Sequence, residues 1–170
     1  MNTLIRLLLI LPALSTQASL AAVTDIFPDL AETQSITDST TVGIDPSALT
    51  LTADATVTVY FISEGAGYQN SFGWYDASTD PTSADNRNTV WANASGTGEG
   101  LAGGGSLDSG TAVEIGTFEA GTELGFFLVA NGNQNPDGYI YTTDANYNPD
   151  GLAHLVAGLL PEEGLLAIGF

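Results

Sequence analysis

Cysteine and lysine are both missing from this chain of 170 residues, and only two arginines, Arg6 and Arg87, stand against twenty aspartates and glutamates. Without cysteine there are no disulfides, so an exported form must be held by core burial, by metal, or by both. Without a basic surface there is no footprint for phosphate, which excludes nucleic acid and anionic membranes as partners. Histidine occurs once, at His154, with no cysteine or lysine to work beside it, and its chain order suggests no serine–histidine–acid pattern.

What is abundant is negative charge, a formal −18 at pH 7. Two carboxylates about 4 Å apart repel by roughly 1 kcal/mol in bulk water and about 4 kcal/mol near a protein surface. Lysines ordinarily relieve this repulsion. Here the counter-charge must come from solution, and Ca²⁺, a hard cation that selects oxygen ligands, is the expected cofactor.

Residues 1–21 have the form of a secretory signal peptide. Arg6 gives the positive start, Leu7 to Leu14 the apolar run, and Ser19-Leu20-Ala21 a small-x-small cleavage site. That run is too short to cross a bilayer, which takes about 20 residues. Export makes the protein secreted or cell-surface, and an acidic, cysteine-free composition fits a bacterial source. Cleavage would leave Arg87 alone against all twenty acids. The remainder is long enough for one domain. Residues 22–46 are a polar lead-in with a possible helical turn at Asp29 to Glu32, and 47–170 form the domain proper.

From Leu49 the apolar period is two: Leu49, Leu51 and Ala53, then Val57, Val59 and Phe61. Further strands are predicted at Ser71 to Asp76, Thr89 to Asn93, Ala112 to Phe118, Glu123 to Ala130, Gly138 to Thr143, His154 to Leu160 and Leu165 to Phe170. Gly151 to Leu160 also has helix-like apolar spacing, but its turn signals favour a strand. Turns bearing Gly, Asn, Asp or Pro separate these runs, and Pro161 to Gly164 suits a hairpin. The pattern is all-β, a jelly-roll-like β-sandwich. The glycine-rich stretch 96–105 reads as a loop, because a phosphate cradle needs a following lysine or helix start.

Two segments share the form N-x-N-P-D-G: Asn133 to Gly138 and Asn146 to Gly151. Alternating oxygen-bearing side chains closed by glycine suit a calcium loop, with Asn133, Asn135 and Asp137 as ligands and Asp144 at the twelfth position. The same residues also suit a β-turn, since Pro presets φ and Gly accepts positive φ. Asp76, Asp80 and Asp85 form a second acidic group, read as a solvated loop in which Arg87 pairs locally. Phe72, Trp74, Phe126 and Leu128 are assigned to the core, while the tyrosines are left between core and sugar-stacking roles.

Residues 57–170 resemble a bacterial domain catalogued as domain of unknown function 4114. The likeness lies in Phe61-Ile62-Ser63-Glu64-Gly65 through Ser71-Phe72-Gly73-Trp74-Tyr75, in Gly116-Thr117-Phe118 and Gly121-Thr122, and in Gly125 through Gly132. His154 and Leu165 to Phe170 complete it. The resemblance implies a calcium-binding β-sandwich of secreted and surface proteins, with Glu64 and Asn131 as candidate ligands. In the family an acidic segment follows the closing Gly-Phe. Its absence here implies that the last strand is missing, leaving an open edge for strand pairing or self-association.

The resulting expectation is a non-catalytic adhesion or ligand-recognition module that binds a glycan or a surface protein. Its rivals are a carbohydrate-active hydrolase using two carboxylates and a self-assembling matrix protein.

Overall fold

The computed structural model describes residues 5–10, 42–44, 49–64, 67–96, 104–154, 156–160 and 165–170. The expected helical turn at 29–32, the heart of the glycine loop and the Pro161 to Gly164 turn lie outside them. All regular structure among the described residues is β, apart from 3₁₀ turns at Ala84–Asn86 and Ala145–Tyr147. No helix among them is long and apolar enough to cross a membrane.

Among the described residues ten strands make two antiparallel sheets. They are β1 (Ile5–Ile10), β2 (Val42–Ile44), β3 (Ala55–Glu64), β4 (Ser71–Asp76), β5 (Asn88–Trp91), β6 (Ala112–Phe118), β7 (Leu124–Val129), β8 (Ile140–Thr142), β9 (Val156–Leu160) and β10 (Leu165–Gly169). One sheet has the order β2-β9-β10-β1-β3-β6 and the other β5-β4-β7-β8. They pack face to face as a β-sandwich.

The core between the sheets comes from the period-two runs. Val57, Val59 and Phe61 of β3 face Phe72 of β4, Phe126 and Leu128 of β7, and Trp91 of β5, all buried. Ile168 and Phe170 join from β10 and the residue after it. Phe72 organises the centre: its ring stacks on Phe126 and meets Trp91 and Phe170, each at about 6 Å between centroids. Trp74 is only partly buried and packs edge-on against Phe118 at 5.1 Å. Leu49 and Leu51 are buried as the period predicts, but β3 begins only at Ala55. Their backbone bonds to Thr122, Gly121 and Leu124 at the entrance to β7.

The small sheet is also buried on its other face. All six residues of β7 are buried. Tyr75, Phe127 and Val129 form a second cluster there, with Ile140 against it. Tyr75 stands opposite Gly125 in the register, where any Cβ would overlap its ring. Its hydroxyl hydrogen-bonds Thr143 Oγ1 at 3.1 Å. Tyr75 is therefore a core residue.

β10 is not an edge strand. That strand is internal, paired to β9 on one side and β1 on the other. Residues 5–10, within the segment read as a leader, form β1 beside it. The same β1 also pairs with β3.

Candidate functional site

Strand directions gather several polar residues at one end of the sandwich. β3 ends in Ser63 and Glu64, β4 begins after Asn70, and β7 runs out into Asn131. Glu64 is 2 % exposed. Nearby chain crossings tie the end together: Asn131 N–H donates to Asn70 Oδ1 at 2.9 Å, and Ala94 N–H donates to the Asn70 carbonyl at 2.7 Å. Ser63 Oγ, Asn93 Oδ1 and Ser95 Oγ are buried oxygens with no hydrogen-bond partner among the described residues. Buried polar atoms are nearly always satisfied, so such oxygens point to an additional ligand or water.

The first N-P-D-G segment projects from this end. Asn135 C=O accepts from Gly138 N–H at 2.9 Å, which makes the segment a β-turn. Upstream, Asn131 adopts φ 53°, a left-handed conformation that asparagine tolerates better than most residues. The Asn133 and Gln134 side-chain amides both donate to Gln69 Oε1, at 2.8 and 3.1 Å. Asn133, Asn135 and Asp137 are exposed.

Asp144 does not complete a loop with them. β8 lies between and runs back along β7, with Ile140 opposite Val129 and Thr142 opposite Phe127. Those three extended residues carry the chain about 10 Å toward the other end. There Asp144 caps the 3₁₀ turn, accepting from Asn146 N–H at 2.9 Å and Asn146 Nδ2 at 2.8 Å. The twelve-residue spacing therefore spans a turn and a strand. Glu64, Asn131, Asn133 and Asn135 share one end, and Asp144 lies apart. No three acidic or histidine side chains converge among the described residues.

Beside the first turn, the outer face of the small sheet carries a cavity of about 290 Å³. Arg87, Phe127, Asn133, Pro136, Ser71 and Thr89 line it. The connection that delivers Arg87 is built from local side-chain turns. Asp76 accepts from Ser78 N–H and Oγ at 2.9 and 2.6 Å, and Asp80 accepts from Thr82 N–H and Oγ1 at 2.8 and 2.6 Å. These bonds, side chain first and backbone second, hold both carboxyls below their ordinary range. Each acid thus satisfies its own turn, and neither pairs with Arg87. The Arg87 guanidinium carbon instead lies 5.8 Å over the Phe127 ring. Asp150 pairs with His154, at 2.8 Å.

The expectation that Arg87 pairs with its acidic neighbours is therefore corrected. Residue spacing hid the reason: the Asx turns engage Asp76 and Asp80, and Arg87 lies over the ring that β7 supplies at Phe127. The sequence signal for this cavity was the isolation of Arg87 in an acidic chain. Tyr68 and Tyr139 are 65 % and 71 % exposed, Tyr68 next to Gln69 in the chain and Tyr139 hydrogen-bonded through its carbonyl to Ala130 N–H.

No family model, no curated protein and no solved structure matches the chain.

Proposed function

We propose that this protein is an exported, calcium-associated β-sandwich that serves as a non-catalytic recognition module at the bacterial surface, with the Arg87 cavity as its ligand seat. The observation that carries this reading is a guanidinium over an aromatic ring, facing a cavity, with no ion pair among the described residues despite twenty carboxylates in the chain. Binding residues are commonly placed on loops held by a rigid sheet, and both loops here rest on β7. A guanidinium recognises a carboxylate through two parallel hydrogen bonds. Tyr68 and Tyr139, both exposed, offer faces for sugar rings. The ligand class is accordingly a carboxylate-bearing glycan.

Calcium belongs to the adjoining end. Glu64, Asn131, Asn133 and Asn135 supply oxygen donors there, and the buried Ser63, Asn93 and Ser95 oxygens retain bonding capacity. The ion would neutralise part of the acidic field and stiffen the loop that borders the cavity.

The test is titration calorimetry of uronic-acid oligosaccharides in calcium buffer. Arg87→Ala should weaken binding by roughly tenfold or more, and Arg87→Lys should recover part of it, since lysine keeps the charge without the fork. Equal binding by neutral and acidic glycans, unaffected by either substitution, would refute the seat.

A further inference from the structure

We infer that the Arg87 seat takes a ligand with one isolated carboxylate on an otherwise uncharged body, and that salt tightens the complex. This selection presupposes the seat proposed above. Of the described residues that line the cavity, Arg87 alone is charged. Ser71, Thr89 and Asn133 offer uncharged polar groups, and Phe127, Val129 and Pro136 offer apolar ones. At about 290 Å³ the cavity is at the small end of ligand pockets, which run about 300–1,000 Å³. One ring enters, and its neighbours in a glycan extend past the rim.

Packing holds the fork without an acid partner among the described residues. Gly73 and Phe127 stand opposite each other in the register, and a Cβ on Gly73 would overlap the ring. The ring therefore lies against bare backbone, with the Arg87 guanidinium carbon 5.8 Å from its centre. The other base of the chain, Arg6, belongs to β1 in the other sheet, and there is no lysine. A second carboxylate on the ligand would find no second fork.

Beyond contact range the field repels an anion. The chain carries a formal −18 at pH 7, and the wall residues Ala84 and Pro136 are each followed by an exposed aspartate, Asp85 and Asp137. Distance decides which interaction salt removes. A guanidinium and a carboxylate in contact lie well inside the Debye length, about 30 Å at 0.01 M salt and about 8 Å at 0.15 M. Acids spread over a domain with a radius of gyration of about 15 Å lie for the most part beyond the second length. Salt therefore screens the repulsion more than the attraction, the reverse of an ordinary exposed ion pair. Each further carboxylate on the ligand meets the repulsion alone.

The test is calorimetric titration with glucuronate and with trigalacturonate, at fixed calcium, as sodium chloride is raised. Glucuronate should bind about tenfold more tightly at about 0.15 M than at about 0.01 M salt. Trigalacturonate should bind more weakly than glucuronate at the lower salt, and the gap should narrow as salt rises. Asp85→Asn should raise the low-salt affinity for glucuronate about twofold and Asp85→Lys about fourfold. Both should rejoin the unsubstituted protein at about 1 M, where the Debye length is about 3 Å. Glucuronate binding that weakens with salt would overturn the inference and leave the seat standing, as would a preference for trigalacturonate at low salt. Glucuronate binding absent at every salt concentration, or unchanged in Arg87→Ala, would sink the seat and the inference with it.

Discussion

The two N-x-N-P-D-G segments are the same sequence pattern put to different uses. Both close as β-turns, with Gly138 N–H bonded to Asn135 C=O at 2.9 Å and Gly151 N–H bonded to Asn148 C=O at 3.0 Å. The first is exposed, leans on Gln69 and borders the cavity. In the second, Asn148 is buried and its side chain is a clamp. Oδ1 accepts from Thr142 N–H at 2.6 Å, and Nδ2 donates to the Leu152 carbonyl at 2.7 Å. The following Asp150 accepts from Leu152 N–H at 3.0 Å and meets His154 Nε2 with both oxygens. His154 in turn packs on Tyr141, ring centroids 4.6 Å apart. A motif fixes the turn, and its surroundings decide whether the side chains point to solvent or lock the fold.

The contrast can be broken most sharply at the third residue of each copy. Asn148→Ala orphans the Thr142 amide and the Leu152 carbonyl and should cost about 2–3 kcal/mol in denaturant unfolding. Asn135→Ala, on an exposed turn, should stay within about 0.5 kcal/mol. Equal losses would erase the distinction. Next in size is Gly151→Ala. Gly151 has φ 66°, a conformation costing an alanine about 1–2 kcal/mol, and the loss should show as a lower midpoint with unchanged slope.

Asp144→Ala removes the cap of the 3₁₀ turn and should cost about 1 kcal/mol, with calcium affinity untouched. A fall in calcium affinity would return Asp144 to the ligand set. The smallest effect is in acid. The backbone bond from Leu152 chiefly, with His154 adding, holds the Asp150 carboxyl low, as the Ser78 and Thr82 bonds hold Asp76 and Asp80. Folded values below unfolded ones give stability that is present above about pH 4 and lost as pH falls through the folded values. Carboxyl NMR titration should place all three below about 3.9.

The sandwich was legible because its strands obey simple periods. Ser71 to Asp76 and Ala112 to Phe118 were read to the residue, since alternation and turn residues bracket them. Trp74 and Tyr75 were harder. Alternation put them on opposite faces, but only the packing of Tyr75 against Phe127 and Val129 shows that Tyr75 is the more deeply buried of the two residues. Residues 5–10 form a strand that hydropathy cannot tell from a leader's apolar run, because the two look alike over six residues. Among the site residues, Glu64 and Asn131 share an end because their strands run the same way, which a resemblance can suggest and a spacing cannot. Asp144 stands apart from them because counting twelve residues ignores the strand in between.

The central claim is that divalent ions at the Glu64 end stabilise an otherwise unopposed acidic protein. Thermal melts of the chain in calcium and in chelator, beside Glu64→Gln and Asp144→Ala, test it directly. At a calcium concentration 100 times the dissociation constant, linkage adds roughly 2.7 kcal/mol. The account predicts a calcium-dependent rise in Tm that Glu64→Gln abolishes and Asp144→Ala preserves. A Tm indifferent to calcium in all three proteins would contradict it.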